Sequence, residues 1–515
     1  MRSEIEPIQK RIPAARQQDT RHYGVHPYFT RRPANVVREY IRHYSQPGDV
    51  VLDPFGGTGV TAIEAFLLGR NAIQNDLNPF ANFLSSCLVD TALTSLLPLR
   101  EAFGRVEVRC RETIGRIEES ESFAASYVGQ LPLPENIALP RTSDAERFCD
   151  LFTPRQLAGL GEIKRAIDLE SEASVRNPLL LAWSASVAKL NRTFLSAKGR
   201  AESRGGSSIF SIYRYKLARE IVELPIWETF EGRFKNVLAA KREILNSRRL
   251  ADEHRPQDSP DFRVMACDAA MLDEVLEPES IDFIFTDPPY GGFISYLDLS
   301  IMWNHWLGFP VSLSDRNREI IVGGELQLTD EHYLRALANS IRACLSLLKP
   351  DRWFSVVFQH WDVRYFETIL QTAAEYGGEL KAAITQTGDV IWSMHKKKNS
   401  ASVLSGEMIL TFYKPLTQNR LEQTRRPRSG SATESMLDEV FDNMIPNDLE
   451  EFTHESLFNR LIIELWNRNA LGCLKLDRVV FASALESRGW EYDSRQHLWL
   501  KTSQEPVVRK SSTLF

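Results

Sequence analysis

The run Val50-Val51-Leu52-Asp53-Pro54-Phe55-Gly56-Gly57-Thr58-Gly59 constrains the fold more than any other stretch of the chain. A short β-branched segment ends in a turn carrying three glycines, and an apolar stretch over residues 60–68 follows, closed by Gly69. That pattern is a strand, a tight turn and a helix. Residues 71–75 read as a second strand that delivers Asp76 and Asn78-Pro79, completing a βαβ unit and so requiring a parallel sheet covered by helices. Glycines at 56, 57 and 59 let the backbone turn tightly and approach a ligand, while the helix start offers free N–H groups and the positive end of its dipole. Asp76 falls about 20 residues after the first of these glycines, where an acidic side chain reaches ribose hydroxyls. Its plainer use is to cap the helix that begins near Pro79.

The chain has 515 residues, which calls for two or three folding units, one of them large enough for a full α/β core. No apolar stretch approaches the roughly 20 residues needed to cross a bilayer, and the polar start lacks the apolar block of a secretory signal. Six cysteines are scattered at 87, 110, 149, 267, 344 and 473 with no Cys-x-x-Cys pair, so no metal site or dithiol is expected. A reducing cytoplasm is the expected compartment. The net charge of −6 argues against a uniformly basic nucleic-acid binder but leaves room for a local basic groove.

The organisation follows from the change of pattern along the chain. Residues 1–22 form a polar arm, and 23–91 hold the first βα units. From 92 to 258 long charged helical patterns take over, among them 154–169 and 179–194, and are read as a helical insertion and candidate target-recognition segment. The βα rhythm returns over 259–414, with strands at 262–268, 281–287 and 353–358, a helix at 331–348, a turn at 349–351 and two last strands near 382–384 and 408–413. Residues 415–433, rich in Pro, Ser and Arg, have a linker's composition. Over 434–515 two amphipathic helices and a hairpin of Trp490-Glu491-Tyr492 with Leu498-Trp499-Leu500 suggest a small α+β, winged-helix-like module.

A second motif carries the chemistry. The apolar run 281–286 ends in Asp287-Pro288-Pro289-Tyr290, a loop that turn chemistry alone does not explain, since two prolines hinder a helix start. The rigid Pro-Pro step, with a carboxylate before it and an aromatic ring after it, encloses a base-sized acceptor site. An exocyclic amine is a poor nucleophile because its lone pair is delocalised into the ring. Hydrogen bonds to the Asp287 carboxylate and the Pro288 carbonyl favour a pyramidal nitrogen, and Tyr290 replaces part of the stacking that an extruded base loses. No Pro-Cys dipeptide occurs, which argues against covalent cysteine chemistry on cytosine C5. Asp268, at the end of the third strand (262–268), is placed to accept from an adenine amino group or simply to cap Ala269-Ala270.

Here the chain resembles the S-adenosylmethionine-dependent amino-methyltransferases of DNA, the N6-adenine and N4-cytosine enzymes, over about residues 22–90 and 262–414. The resemblance implies a class I methyltransferase, Rossmann-like sheet. It implies that Asp53, Phe55, Gly56, Gly57 and Gly59 hold the methionine part of S-adenosylmethionine, that Asp76 and Asn78 lie at the ribose, that Asp268 meets the adenine, and that Tyr28 and Thr30 in His26-Pro27-Tyr28-Phe29-Thr30 add donor contacts. Asp287, Pro288, Pro289 and Tyr290 become the catalytic loop, and Asp rather than Ser at 287 favours adenine. Thr58 and Val60 replace the family's usual serine and threonine, and the insertion precedes the Asp268 strand instead of following it.

A DNA partner, and a restriction-modification or phage-defence setting with partner subunits, are what the resemblance implies. N4-cytosine methylation, RNA guanine-N2 methylation and a non-catalytic DNA-binding subunit of a defence complex stay open as alternatives. For nucleic-acid contact the candidates are Lys189, Arg192, Lys198, Arg200, Arg204 and Arg214, interleaved with aromatics in a Gly/Ser-rich stretch, and the run Lys396-Lys397-Lys398. Phe293, Tyr296 and Trp303-Asn304-His305-Trp306 are candidates for a base pocket, although an aromatic helix face is more often core.

Overall fold

The computed structural model describes residues 5–15, 21–89, 95–193, 214–253, 260–292, 294–386, 406–416, 439–441, 452–471, 478–494 and 498–501. The chain runs through α1 (Ala34–Tyr44), β1 (Val50–Asp53), α2 (Val60–Leu67), β2 (Asn71–Asn75) and α3 (Pro79–Leu88). A helical block follows, with α4 (Leu97–Glu119), α5 (Glu121–Val128), α6 (Pro154–Asp168), α7 (Ala173–Val187) and α8 (Ile226–Glu253). The sheet resumes with β3 (Phe262–Met265) and β4 (Ile281–Thr286), after which come α9 (Tyr296–Leu299), α10 (Ile301–Leu307), α11 (Leu313–Arg318) and α12 (Asp330–Leu347). Then follow β5 (Leu348–Phe358), α13 (Val363–Glu375), β6 (Glu379–Gln386) and β7 (Glu407–Lys414), and last α14 (His454–Asn467), α15 (Arg478–Glu486), β8 (Trp490–Asp493) and β9 (Leu498–Lys501).

Seven strands form one sheet in the order β3-β2-β1-β4-β5-β7-β6. The first five are parallel, and β7 runs antiparallel between β5 and β6. This is the mostly parallel, Rossmann-like sheet that the βα pattern led us to expect. Its strand order reverses between β1 and β4, and a ligand of an open α/β sheet sits outside the carboxyl ends of the strands at that point. Asp53 ends β1 and Asp287 follows β4, so both sequence motifs meet there.

The central strand β4 is buried along its whole length, as a parallel strand covered on both faces must be. It nevertheless contains Asp282, whose carboxylate accepts from Lys349 at 2.8 Å, Arg352 at 2.9 Å and the Val50 N–H at 3.0 Å. Helix α1 lies against this strand, with Tyr40 5.3 Å from Phe285 and Tyr44 4.9 Å from Trp353 between ring centroids. Packing of α1 fixes the segment just before it, which crosses the sheet's carboxyl edge.

Two elements differ from the sequence reading. The helix read at 179–194 is α7, which spans Ala173–Val187 and carries Pro178 inside it. The turn read at 349–351 is an irregularity within β5. Ile281 pairs with Leu348 and Phe283 with Trp353, and the extra residues bulge with Asp351 at φ 60°. The helical block packs on α3 and α10, where the Trp303 indole N–H donates to the Ser184 carbonyl at 3.1 Å. At the other end α14 packs on the sheet domain, with Phe458 4.7 Å from Trp361 and Asn459 donating to Thr385 Oγ1 at 3.1 Å. No helix among the described residues is long and apolar enough to cross a membrane.

Candidate functional site

The glycine turn is shaped by what presses against it. A Cβ on Gly56 would lie 2.5 Å from the Gln74 side chain, and one on Gly59 would lie 2.6 Å from Ser85 Cβ. Gly57 and Gly59 also have φ of 51° and 87°, the left-handed region that a side chain disfavours. Buried Gln74 donates to the Gly57 carbonyl at 3.0 Å, and Asn75 ties three strand ends together through Pro54 O at 3.0 Å and the Cys267 backbone at 2.9 Å. Asp76 accepts the Gly57 N–H on one oxygen and the Asn78 N–H on the other, both at 2.8 Å. It braces the loop, while the cap of α3 is Asn78 itself, accepting from Phe80 N at 3.2 Å.

Asp53 joins the two motif strands. Its Oδ1 accepts from Phe55 N at 3.1 Å and from the Thr286 hydroxyl at 2.9 Å. Burial raises its carboxyl to about 7, with those hydrogen bonds and one from Thr61 opposing. Burial likewise raises Asp76 to about 6 against its two backbone N–H bonds. A carboxyl raised from about 3.9 in the unfolded chain favours the fold below that value, and the contribution is lost as pH rises through about 7. Relative to wild type, Asp53→Asn is therefore expected to gain thermal stability between pH 5 and pH 8, read as the difference in Tm of the ligand-free proteins. A difference that stays flat with pH would contradict the assignment.

One cavity is lined by Tyr28, Thr30, Asp53, Phe55, Gly56, Gly57, Asp76, Asn78, Asp268, Asp287 and Pro289 from the expected set, joined by Arg31, Arg32, Tyr296, Arg318 and Glu319. Gly59, Pro288 and Tyr290 are not in its wall. Gly59 acts through conformation, as the left-handed residue ahead of α2. Asp268 does cap the turn after β3, accepting from Ala270 N at 2.9 Å, and still lines the cavity. Glu319, buried and raised to about 8 chiefly by that burial, accepts from Leu297 N at 3.0 Å.

At the Asp287 end of the cavity an arginine that the sequence reading passed over sits on the Asp287–Tyr290 loop. Arg32 Nε donates to Asp287 Oδ2 at 2.5 Å, and its Nη2 donates to Asp287 Oδ1 at 2.9 Å and to the Tyr290 hydroxyl at 2.5 Å. Its Nη1 donates to Glu407 at the start of β7. Tyr290 in turn donates to Asp287 Oδ1 at 2.5 Å and sits edge-on to Phe358 at 5.3 Å. Burial disfavours the Arg32 charge, but the Asp287 carboxylate beside it more than offsets this and keeps the guanidinium protonated.

The aromatic run after the loop belongs mainly to the core. Trp303 is fully buried and stacks on Phe80 at 5.0 Å, and Trp306 packs edge-on to Trp183 at 5.4 Å. Asn304 donates to Asn78 Oδ1 at 3.0 Å, so it supports the donor side, and His305 bonds to the Glu135 carbonyl at 2.6 Å. Tyr296 lines the cavity, and Phe293 lies outside the described residues. Among the basic candidates, Arg192 donates to Asp150 O at 3.0 Å and Arg214 pairs with Asp144 at 3.3 Å, while the Lys189 N–H closes the end of α7. Lys198, Arg200, Arg204 and Lys396-Lys397-Lys398 lie outside the described residues.

The lining fits S-adenosylmethionine. It offers two carboxylates, Asp76 and Asp268, for hydroxyl and amino groups, and a backbone turn held bare of side chains by Gln74 and Ser85. Residues 8–86 match the family model of DNA methylases. Over 71 residues the chain is 32% identical to the Type II methyltransferase M.MjaII of Methanocaldococcus jannaschii, covering 14% of this chain and 12% of that one. Over 51 residues it is 47% identical to the Type II methyltransferase M1.MboII of Moraxella bovis, covering 10% and 20%. The chain thus spans a fifth or less of the length of these relatives, and the family match ends well before Asp268 and Asp287. The solved structure of TrmN from Thermus thermophilus overlaps 74% of this chain and 48% of its own at 13% identity, with a TM-score of 0.25, too loose a likeness to argue from.

Proposed function

We propose, for a chain similar to the N6- and N4-type DNA amino-methyltransferases in both its motifs and its matched segment, that it methylates the exocyclic N6 of adenine in DNA with S-adenosylmethionine as donor. The observation that carries this reading is the meeting of the glycine turn and the Asp287 loop in one cavity at the sheet's switch point. When bound, the donor supplies a methyl group on a positively charged sulfur. Gly56 and Gly57 with Phe55, Tyr28 and Thr30 would hold its methionine end, Asp76 and Asn78 its ribose, and Asp268 its adenine.

The chain's own groups shape the acceptor. The Asp287 carboxylate accepts an N–H of the target amine, which frees the nitrogen lone pair from the ring, and it is the base in reach for the proton that nitrogen must shed. The Pro288 carbonyl takes the second N–H. Tyr290, fixed by its hydroxyl on Asp287, offers its ring to a base taken out of the duplex. The assignment to adenine rests on Asp at position 287.

Two measurements test the reading. Asp76→Ala is expected to weaken donor binding by roughly 10- to 100-fold, the worth of a lost charge-assisted hydrogen bond, as read by calorimetric titration with S-adenosylmethionine. Unchanged affinity would remove Asp76 from the donor site. DNA from cells expressing the chain should yield N6-methyladenine on nucleoside digestion. N4-methylcytosine would transfer the reading to cytosine, and neither would contradict it.

A further inference from the structure

Arg32 reaches the reacting centre from a segment that neither motif includes. It stands one residue before Pro33, from which α1 starts, and α1 is packed along β4, so the backbone of Arg32 is anchored to the strand that carries Asp287. Its side chain is 14% exposed, and the two carboxylates it touches, Asp287 and Glu407, are 21% and 18% exposed. A carboxylate has about four acceptor positions. Among the described residues Asp287 Oδ1 uses two, for Arg32 Nη2 and Tyr290 Oη, and Oδ2 uses one, for Arg32 Nε. One position, on Oδ2, is left for an incoming N–H.

We infer that Arg32 is a positioning residue for methyl transfer: its guanidinium fork turns Asp287 so that a single Oδ2 acceptor site receives the target amine, and its third nitrogen ties that fork to Glu407. The inference rests on the proposed role of Asp287. A swing of Arg32 away from the loop would leave two mostly buried carboxylates without the cation they share, so the fork stays in place while the base is bound. The charged and titratable groups around Asp287 are Arg32, Glu407, Tyr290, Tyr333 and Asp53, with Tyr296 beside the arginine. Of these only Arg32 offsets the carboxylates' charge. A lysine supplies charge without the planar fork, and a glutamine supplies donors without charge.

The test compares wild type, Arg32→Lys, Arg32→Gln and Arg32→Gln/Glu407→Gln for DNA methylation rate (kcat) and donor affinity. Arg32→Gln is expected to lower kcat by about 100-fold, as a misplaced reacting group does, with donor affinity within about twofold. Removing the second carboxylate in Arg32→Gln/Glu407→Gln should return part of that loss. Arg32→Lys, which keeps the charge without the fork, should lose kcat at unchanged donor affinity, which keeps the test decisive if the neutral variants do not fold. Full activity in Arg32→Lys, a faster rate in either single variant, or a parallel fall in rate and donor affinity would overturn the role. A wild-type protein that methylates no DNA would overturn the reading of Asp287 and this role together, whereas an active wild type with active variants overturns the role alone.

Discussion

Asp287→Asn is expected to lower the rate of methyl transfer by about 10²- to 10⁴-fold, the contribution of a positioned proton acceptor, while donor affinity changes by no more than about twofold. The asymmetry follows from where the groups sit. Asp287 ends β4 and spends its oxygens on Arg32 and Tyr290, whereas the glycine turn is braced by Asp76 from β2. Asparagine keeps the size of the side chain but turns one acceptor into a donor facing the Arg32 guanidinium. The variant therefore also loses stability, by about 3 kcal/mol at the lower end of what breaking a buried ion pair costs. The rate loss must be read at a temperature where the variant is folded, with S-adenosylmethionine titration as the check. Equal loss of donor affinity in Asp287→Asn and Asp76→Ala would erase the division between acceptor and donor sides.

The second large effect is expected at Gly59. Alanine there meets two penalties at once, a φ of 87° and a Cβ 2.6 Å from Ser85 Cβ and 3.0 Å from Gln74 Oε1. Left-handed backbone costs a side chain about 1–2 kcal/mol, and overpacking a closed site adds about 1–3 kcal/mol. Because α2 starts at Val60, relief of the clash shifts the turn that frames the donor cavity, and donor binding should be lost with the stability. Gly48→Ala is the control. It has φ of 88° with nothing within 4 Å of the added carbon, so it should bear only the backbone cost and bind donor normally. Thermal unfolding and donor titration of the pair separate the two terms. Similar behaviour of both variants would show that the close approach of Ser85 is unimportant.

What the sequence made legible was local. The strand, glycine turn and helix of residues 50–68 are adjacent in the chain, and so are the four residues from Asp287 to Tyr290, so spacing alone reveals them. Helix α1 is local in the same sense, with Pro33 at its start and an apolar face of Val36, Val37, Tyr40, Ile41 and Tyr44. Arg32 could not be found this way. Its partner is 255 residues distant, and Arg31-Arg32-Pro33 before a helix looks like a solvated charge pair. Asp282 was hidden for the opposite reason, as a charge inside an apolar run whose cations, Lys349 and Arg352, come from the next strand of the sheet. The antiparallel β7 between β5 and β6 is a long-range pairing that no short pattern encodes. Trp303 and Trp306 were ambiguous because a core face and a base pocket ask for the same residues, and only the stack on Phe80 and the packing on Trp183 separate them.

Transfer of labelled methyl from S-adenosylmethionine to duplex DNA, single-stranded DNA and RNA in parallel, followed by nucleoside digestion and mass identification, tests the central claim most directly. Label in DNA recovered as N6-methyladenine, and absent with Asp287→Asn, is the expected result. Label on RNA alone, or donor binding without a methylated nucleoside on any of the three, would contradict it.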